Sequence, residues 1–282
     1  MNSPNEAPEG TFWDHLDALR ACILKAILAT ALCTLAAFCF RHALFHTILA
    51  PKNDDFITYR LLASISHSLT GHNIELPSLE VHLINTTLAG QFTAHVRTSI
   101  LAGICLASPY TAWLAFGFIS PALYAGERRL ALHTLAPAVM MFILGVAMSY
   151  YIIFPFTFRF LGTYQVSTDV ANTITLQSYL DTFLLTMLVM GLVFEIPVRC
   201  RLLAHMGLLN ATLMRRYRRH AIVAILILSA IITPTPDAFT LMLVAVPIYM
   251  LYETGIIVTK FTRKKLPRPN NQAPYNNKNQ TP

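Results

Sequence analysis

Six apolar runs, at residues 21–40, 97–118, 135–155, 178–198, 221–232 and 239–258, restrict this chain more than any other feature. The hydrocarbon core of a bilayer is about 30 Å thick and takes about 20 residues of helix, a length that five of the runs reach. Packing them into a water-soluble core instead would need a polar surface, and the composition does not supply one. Charged residues make up 12% of the chain, against about 25% in a soluble domain. The same poverty of charge, with 55% hydrophobic residues, excludes disorder. The expected fold is all-α, a polytopic membrane protein with six transmembrane helices.

The fifth run has only twelve apolar residues, about 18 Å of helix. Either the bilayer thins around it, or the fifth and sixth runs form a re-entrant pair. Pro109, Pro155, Pro197 and Pro247 are expected to kink the spans into a concave bundle. Orientation follows from the basic residues. With both termini cytoplasmic, the inner segments hold 15 of the 21 lysines and arginines, Arg128, Arg129, Arg215 and Arg216 among them. The outer segments hold Arg41, Lys52, Arg60 and Arg159. Such asymmetry predicts N-in and C-in. Residues 1–20 are then an amphipathic cytoplasmic N-terminus, 21–258 the membrane domain with an outer loop at 41–96, and 259–282 a disordered basic tail.

The acidic first 20 residues lack the basic start of a cleavable signal peptide. Thr11 and Asp14 have the form of a capping box for a helix running into the first span. The outer loop, with Pro51 and Pro77 as breakers, is expected to fold into short helices over the outer face. It carries His42, His46, His67, His72, His82 and His95, at spacings that match no ligand pattern. Five cysteines without a CxxC pair read as small buried hydrophobes. Neither a metal nor a cofactor is expected, and the net charge of +7 does not imply nucleic acid.

Ionisable groups in a bilayer cost at least about 2.5 to 3.5 kcal/mol near its centre, which makes Glu195, beside Pro197 in the fourth run, the first functional candidate. It serves either a helix–helix hydrogen bond or contact with a ligand or partner. Asp181, Asp237 and Glu253 lie closer to the interfaces, as structural or partner contacts. Glu127, in the loop between the second and third runs, stands beside Arg128 and Arg129. It pairs with one of them or with an arginine of another chain. Nucleophile elbows, HExxH and Walker-type loops are missing from the sequence, so an enzyme is not expected. Transport, a channel or a binding scaffold remain. One alternative is a proton-coupled secondary transporter of a small solute, with Glu195 and Asp181 as its relay.

Five segments then carry a resemblance. His15-Leu-Asp-Ala-Leu-Arg20 resembles the HLxELR entry motif of the TatC family, and Phe118-Ile-Ser-Pro-Ala-Leu-Tyr-Ala-Gly-Glu-Arg-Arg129 its FxxPALYxxER loop. Phe194-Glu-Ile-Pro197 is similar to its FExP element, Thr233-Pro-Thr-Pro-Asp237 to its TPPD turn, and the stretch from Pro247 to Gly255 to its closing PxxxLYExG. The resemblance implies the receptor core of a twin-arginine protein translocase in a bacterial inner membrane. Such a core binds twin-arginine signal peptides of folded cargo at the cytoplasmic face. It works with single-span TatA/TatB-type subunits and the proton-motive force, amid membrane lipids and self-associated in a larger complex. By the same token Glu127 takes the place of the loop glutamate that meets the arginine pair, with Phe118 and Arg20 beside it. Glu195 takes the place of the glutamate lining the concave face. One position departs: the HLxELR glutamate falls on Ala18. Asp14, one helical turn earlier, or the adjoining Asp17 is expected to stand in for it.

Overall fold

The computed structural model describes residues 12–70, 83–119, 125–165, 167, 173–233 and 237–264. Thr11, His72, Pro77 and His82, the segments 120–124 and 234–236, and the residues from 265 onward fall outside the described residues, as do the side chains of Asp14, His15 and Glu127. Helices fill nearly all of the rest, and among the described residues the sole β-type pairing is an isolated bridge between Ile84 and Thr175.

Helix α1 (Phe12–Cys39) contains neither glycine nor proline, and its alanines and leucines are strong helix formers. Its 28 residues extend about 42 Å, so one uninterrupted helix contains both the polar entry segment and the first apolar run. The segment between the first two long helices begins with α2 (Arg41–Leu49) and a 3-10 turn at Ala50–Lys52, followed by α3 (Ile57–Thr70). Then come α4 (Gly90–Ile119) and α5 (Ala125–Met148). A π turn at Ser149–Ile153 joins α5 to α6 (Phe154–Thr163). Next follow α7 (Leu176–Phe194) and α8 (Ile196–His205), then the short α9 (Ala211–Arg216). Helices α10 (Arg218–Ile232) and α11 (Ala238–Lys264) complete the chain.

Among the described residues, five helical stretches are long and apolar enough to cross a membrane: Leu16–Cys39, Gly90–Phe118, Thr134–Thr163, Leu176–His205 and Ala238–Thr262. The fifth apolar run forms α10, whose 15 residues extend only about 22 Å.

The prolines act in different ways. Pro109 lies inside α4 and removes the N–H that Cys105 O would accept, but Ser108 Oγ donates to that carbonyl at 2.8 Å. Pro155 withdraws the corresponding donor from Tyr151 O, which accepts from Thr58 Oγ1 of α3 instead. Because Pro155 falls in the first turn of α6, after the π turn, it costs no further bond. The third stretch therefore continues past Pro155 to Thr163, where the apolar run alone gave an end at residue 155. Pro197 opens α8 in the same way, with Glu195 as the single non-helical residue between α7 and α8.

Packing follows small residues. A Cβ on Gly103 would lie 2.1 Å from Thr34 Oγ1, and one on Gly145 would lie 2.5 Å from Met190 O. A Cβ on Gly191 would come within 2.8 Å of the Phe142 ring. The backbones of α1 and α4, and of α5 and α7, thus approach closely, as small residues permit. Both pairs are antiparallel. The Phe38 ring stacks on His95, with centroids 3.9 Å apart, while Thr34 meets Gly103 four residues back along α1 and eight forward along α4.

Towards the loop end, the rings of Phe154, Phe158, Tyr179 and Phe183 pack edge to face or stacked. Met190, Phe194, Ile232 and Ile248 form a second buried cluster, which joins α7 to the α10–α11 hairpin.

Candidate functional site

The register of α1 on α4 decides which motifs share an end of the molecule. Fifteen residues beyond Gly103 on α4 is Phe118, and fifteen before Thr34 on α1 is Leu19. At about 1.5 Å per residue on both helices, Phe118 comes about level with Leu19 and Arg20. Phe118 is partly buried, while Asp17, Ala18 and Arg20 are exposed. Glu127 is the third residue of α5, and the chain from Ile119 to Ala125 spans at most about 20 Å. Backbone placement thus puts residues 15–20, Phe118 and Glu127 at one end.

Among the described residues there are four ion pairs, three of them on carboxylates singled out in the sequence. Arg199 Nη2 donates to Glu195 Oε2 at 2.6 Å. The backbone carbonyl of Glu195 also accepts from the amides of Val198 and Arg199, at 3.1 and 3.0 Å. Arg97 Nη1 donates to Asp181 Oδ1 at 2.8 Å, joining the loop ends of α4 and α7. Arg218 Nη2 donates to Glu253 Oε2 at 2.6 Å, and Tyr249 OH to Glu253 Oε1 at 3.0 Å, which closes the α10–α11 hairpin at its open end. Asp237 caps α11: its Oδ2 accepts from the Thr240 amide at 2.8 Å, and its Oδ1 from the Thr240 hydroxyl.

The sequence missed the fourth pair, Arg159 with Asp54 at 3.1 Å. Arg159 is buried on α6, and its guanidinium stacks over the Tyr59 ring at 4.7 Å. Tyr59 OH shares its one hydrogen between Pro155 O at 3.0 Å and Pro51 O at 3.2 Å. Burial pushes the Tyr59 phenol up from 10.0 to about 12. This cluster holds residues 51–59 on the α6 end of the third stretch. A basic residue inside an otherwise apolar aromatic segment was the signal that could have found it.

A proton relay through Glu195 and Asp181 fits poorly with this arrangement. The two residues lie 14 positions apart on the same helical stretch, about 21 Å along its axis, and each is engaged by its own arginine. No group of three His, Cys, Asp or Glu among the described residues is arranged to hold a metal.

Residues 14–247 match the family described as Sec-independent protein translocase protein (TatC). The chain is 32% identical over 265 residues to the TatC protein of Blattabacterium sp. subsp. Periplaneta americana, covering 93% of this chain and 99% of that one. It is 33% identical over 261 residues to the TatC of Deinococcus radiodurans, covering 93% and 90%. With the TatC of Escherichia coli it shares 29% over 252 residues, covering 88% and 87%. A crystal structure of a twin-arginine translocase receptor, TatC, superposes with a TM-score of 0.69 at 26% identity, covering 88% of this chain and 99% of that one.

Proposed function

The chain belongs to the TatC family of Sec-independent protein translocase proteins, and from that membership we propose that it is the receptor core that recognises twin-arginine signal peptides of folded cargo. It is an all-helical, multi-pass membrane protein and a translocase component, not an enzyme. In the proposed reading six spans cross a bacterial inner membrane with both termini in the cytoplasm, and residues 259–282 form a basic cytoplasmic tail. TatA/TatB-type single-span subunits join it, and the proton-motive force drives export.

One observation carries the recognition step. The register set by Thr34 on Gly103 is what supports residues 15–20 and Phe118 acting together at one rim, with Glu127 in the adjoining first turn of α5. The peptide's guanidinium pair presents planar forks that a carboxylate can meet with two parallel hydrogen bonds. Glu127 provides one such carboxylate, and Asp14 or Asp17 the second, in place of the family's glutamate at Ala18. Arg20 flanks this group and Phe118 contributes an apolar wall. The peptide's apolar stretch then lies along the kinked helices towards Glu195, which binds a polar group of a partner helix. Asp237 and Glu253 hold the α10–α11 hairpin against which partner helices pack.

The test is binding of a synthetic signal peptide to the purified chain in detergent. A peptide with Arg-Arg should bind at least about tenfold more tightly than one with Lys-Lys, since lysine is a point charge without the planar fork. Glu127→Ala should erase most of that difference, and Asp14→Ala or Asp17→Ala part of it. Equal binding of both peptides, or indifference to all three substitutions, would refute the carboxylate site.

A further inference from the structure

At the opposite end of the molecule a second site opens, and it does not depend on the recognition reading. A cavity of about 940 Å³ lies where α2 and the 3-10 turn meet α4. Arg41, His42, His46 and Lys52 line it together with Gln91 and Asn53, so every ionisable group in its lining is basic. Of the two acidic residues just past this wall, Asp54 and Asp55, Asp54 is engaged by Arg159. The size lies within the range of small-molecule sites. Two permanent cations facing one hollow, with amide donors beside them, suit an anion with several acceptor oxygens. Arg41 can grip such a group bidentately while Lys52 adds a point charge.

Beside the cavity lies an apolar groove. That groove, about 720 Å³, runs down the α1–α4 seam past Ala26, Thr30, Ala31, Thr34 and Leu35, with Phe38 at its upper edge and Ile100 on the α4 side. His95 lines the basic cavity and stacks on Phe38 at 3.9 Å, so one ring pair separates the two spaces. His95 Nε2 also donates to Phe38 O at 3.1 Å, a carbonyl near the C-terminus of α1 that lacks a partner within the helix. From Phe38 to Ala26 is about 18 Å of helix, close to the roughly 15 Å of one leaflet. A charged pocket at headgroup level above a leaflet-deep apolar trough matches the two halves of a phospholipid.

We infer that the loop-side junction of α1, α2 and α4 is a binding site for one anionic phospholipid, its phosphodiester on Arg41 and Lys52 and one acyl chain along the Ala26–Phe38 groove. The occupant is a lipid rather than a free anion because the trough has no other apolar covering among the described residues. A basic pocket at a membrane interface attracts anionic headgroups over zwitterionic ones.

Native mass spectrometry of the full chain in a non-ionic detergent, titrated with long-chain phosphatidylglycerol, tests this. The tightest adduct should weaken about tenfold in the Arg41→Gln/Lys52→Gln variant, a change of about 1.4 kcal/mol. It should return to within about twofold of the parent in Arg41→Lys/Lys52→Arg, which keeps both charges and guards against a folding artefact. Arg215→Gln/Arg216→Gln, at the other end, should leave it unchanged. Ala31→Phe, which fills the trough, should weaken the long-chain lipid but not its water-soluble glycerophosphoglycerol headgroup. An undiminished adduct in Arg41→Gln/Lys52→Gln overturns the site. So does displacement of the lipid by low-millimolar inorganic phosphate, which would mark a pocket for free anions.

Discussion

Arg199 Nη2 stands 2.6 Å from Glu195 Oε2, one helical turn further along the chain. The arginine side chain is 59% exposed and the glutamate 24%, so this is a partly solvated i,i+4 pair, worth about 0.3–0.5 kcal/mol. Stability is therefore not what Glu195 chiefly supplies. Arg199→Ala and Glu195→Ala should each shift unfolding in detergent by less than about 1 kcal/mol, and the double variant little further. Export of a folded reporter should nonetheless fall severalfold in Glu195→Ala and stay near the parent level in Arg199→Ala. Equal losses in both would assign Glu195 to the pair alone.

Gly145 faces Met190 O and Phe194 so closely that a Cβ there would lie 2.5 Å from the carbonyl oxygen and 2.8 Å from Phe194 Cβ. The carbonyl is backbone and cannot swing aside. Gly145→Val should separate α5 from α7 and cost about 1–3 kcal/mol by overpacking, read as a lower midpoint of thermal unfolding in micelles. Gly117, with nothing within 4 Å of the corresponding position, supplies the control. Gly117→Ala should be neutral or slightly stabilising.

Tyr179 OH donates to Ile48 O at 2.8 Å, and both groups are buried. Tyr179→Phe keeps the ring contacts with Phe154 and Phe158 but leaves a buried carbonyl short of its donor. The expected cost is about 1–3 kcal/mol, and hydrogen exchange should increase in α2 before it does in α10.

These residues show which parts of the structure were legible in the chain. Helices follow from apolar length and from the absence of breakers inside α1, and the Glu195–Arg199 pair is readable because i and i+4 share a helix face. Pairs between helices are not readable this way. Arg218 meets Glu253 across 35 positions and Arg97 meets Asp181 across 84, and both depend on how helices slide past one another. The proline pattern signalled bends but not their repair. That Ser108 and Thr58 satisfy the carbonyls left by Pro109 and Pro155 depends on local rotamers and on a loop helix folding back. In the proposed recognition site, the basic-residue asymmetry already put Phe118 and Arg20 on one side, but their level along α1 and α4 required the helix register, which no single-helix pattern contains.

Tyr59 provides a pH prediction. Its phenol is raised from 10.0 to about 12, chiefly by burial. The folded state therefore keeps a proton that the unfolded chain gives up. The associated stability is complete below pH 10 and is lost as pH rises towards 12, by up to about 2.7 kcal/mol for two units. The phenolate absorbance difference between the parent and Tyr59→Phe should show a midpoint near 12. In the parent, alkaline unfolding should begin earlier than in the variant once the loop contacts of Tyr59 are allowed for at neutral pH. A midpoint near 10 would place this residue in water.

Ala18 permits a gain-of-function test. It is exposed on α1, at the same end as Phe118, and its methyl group cannot bind a guanidinium. In the proposed site, Ala18→Glu supplies the carboxylate that the family motif has at this position. One added charge-assisted hydrogen bond is worth about 1.5–3 kcal/mol, reduced by exposure towards the lower figure. Affinity for the Arg-Arg peptide should therefore rise about tenfold, with little change for the Lys-Lys peptide. In an Asp14→Ala/Asp17→Ala background the gain should be larger, because the new glutamate then replaces a lost carboxylate instead of crowding an existing one. An equal gain in both backgrounds would show that neither aspartate contributes, and would leave Glu127 as the site's one acidic contact.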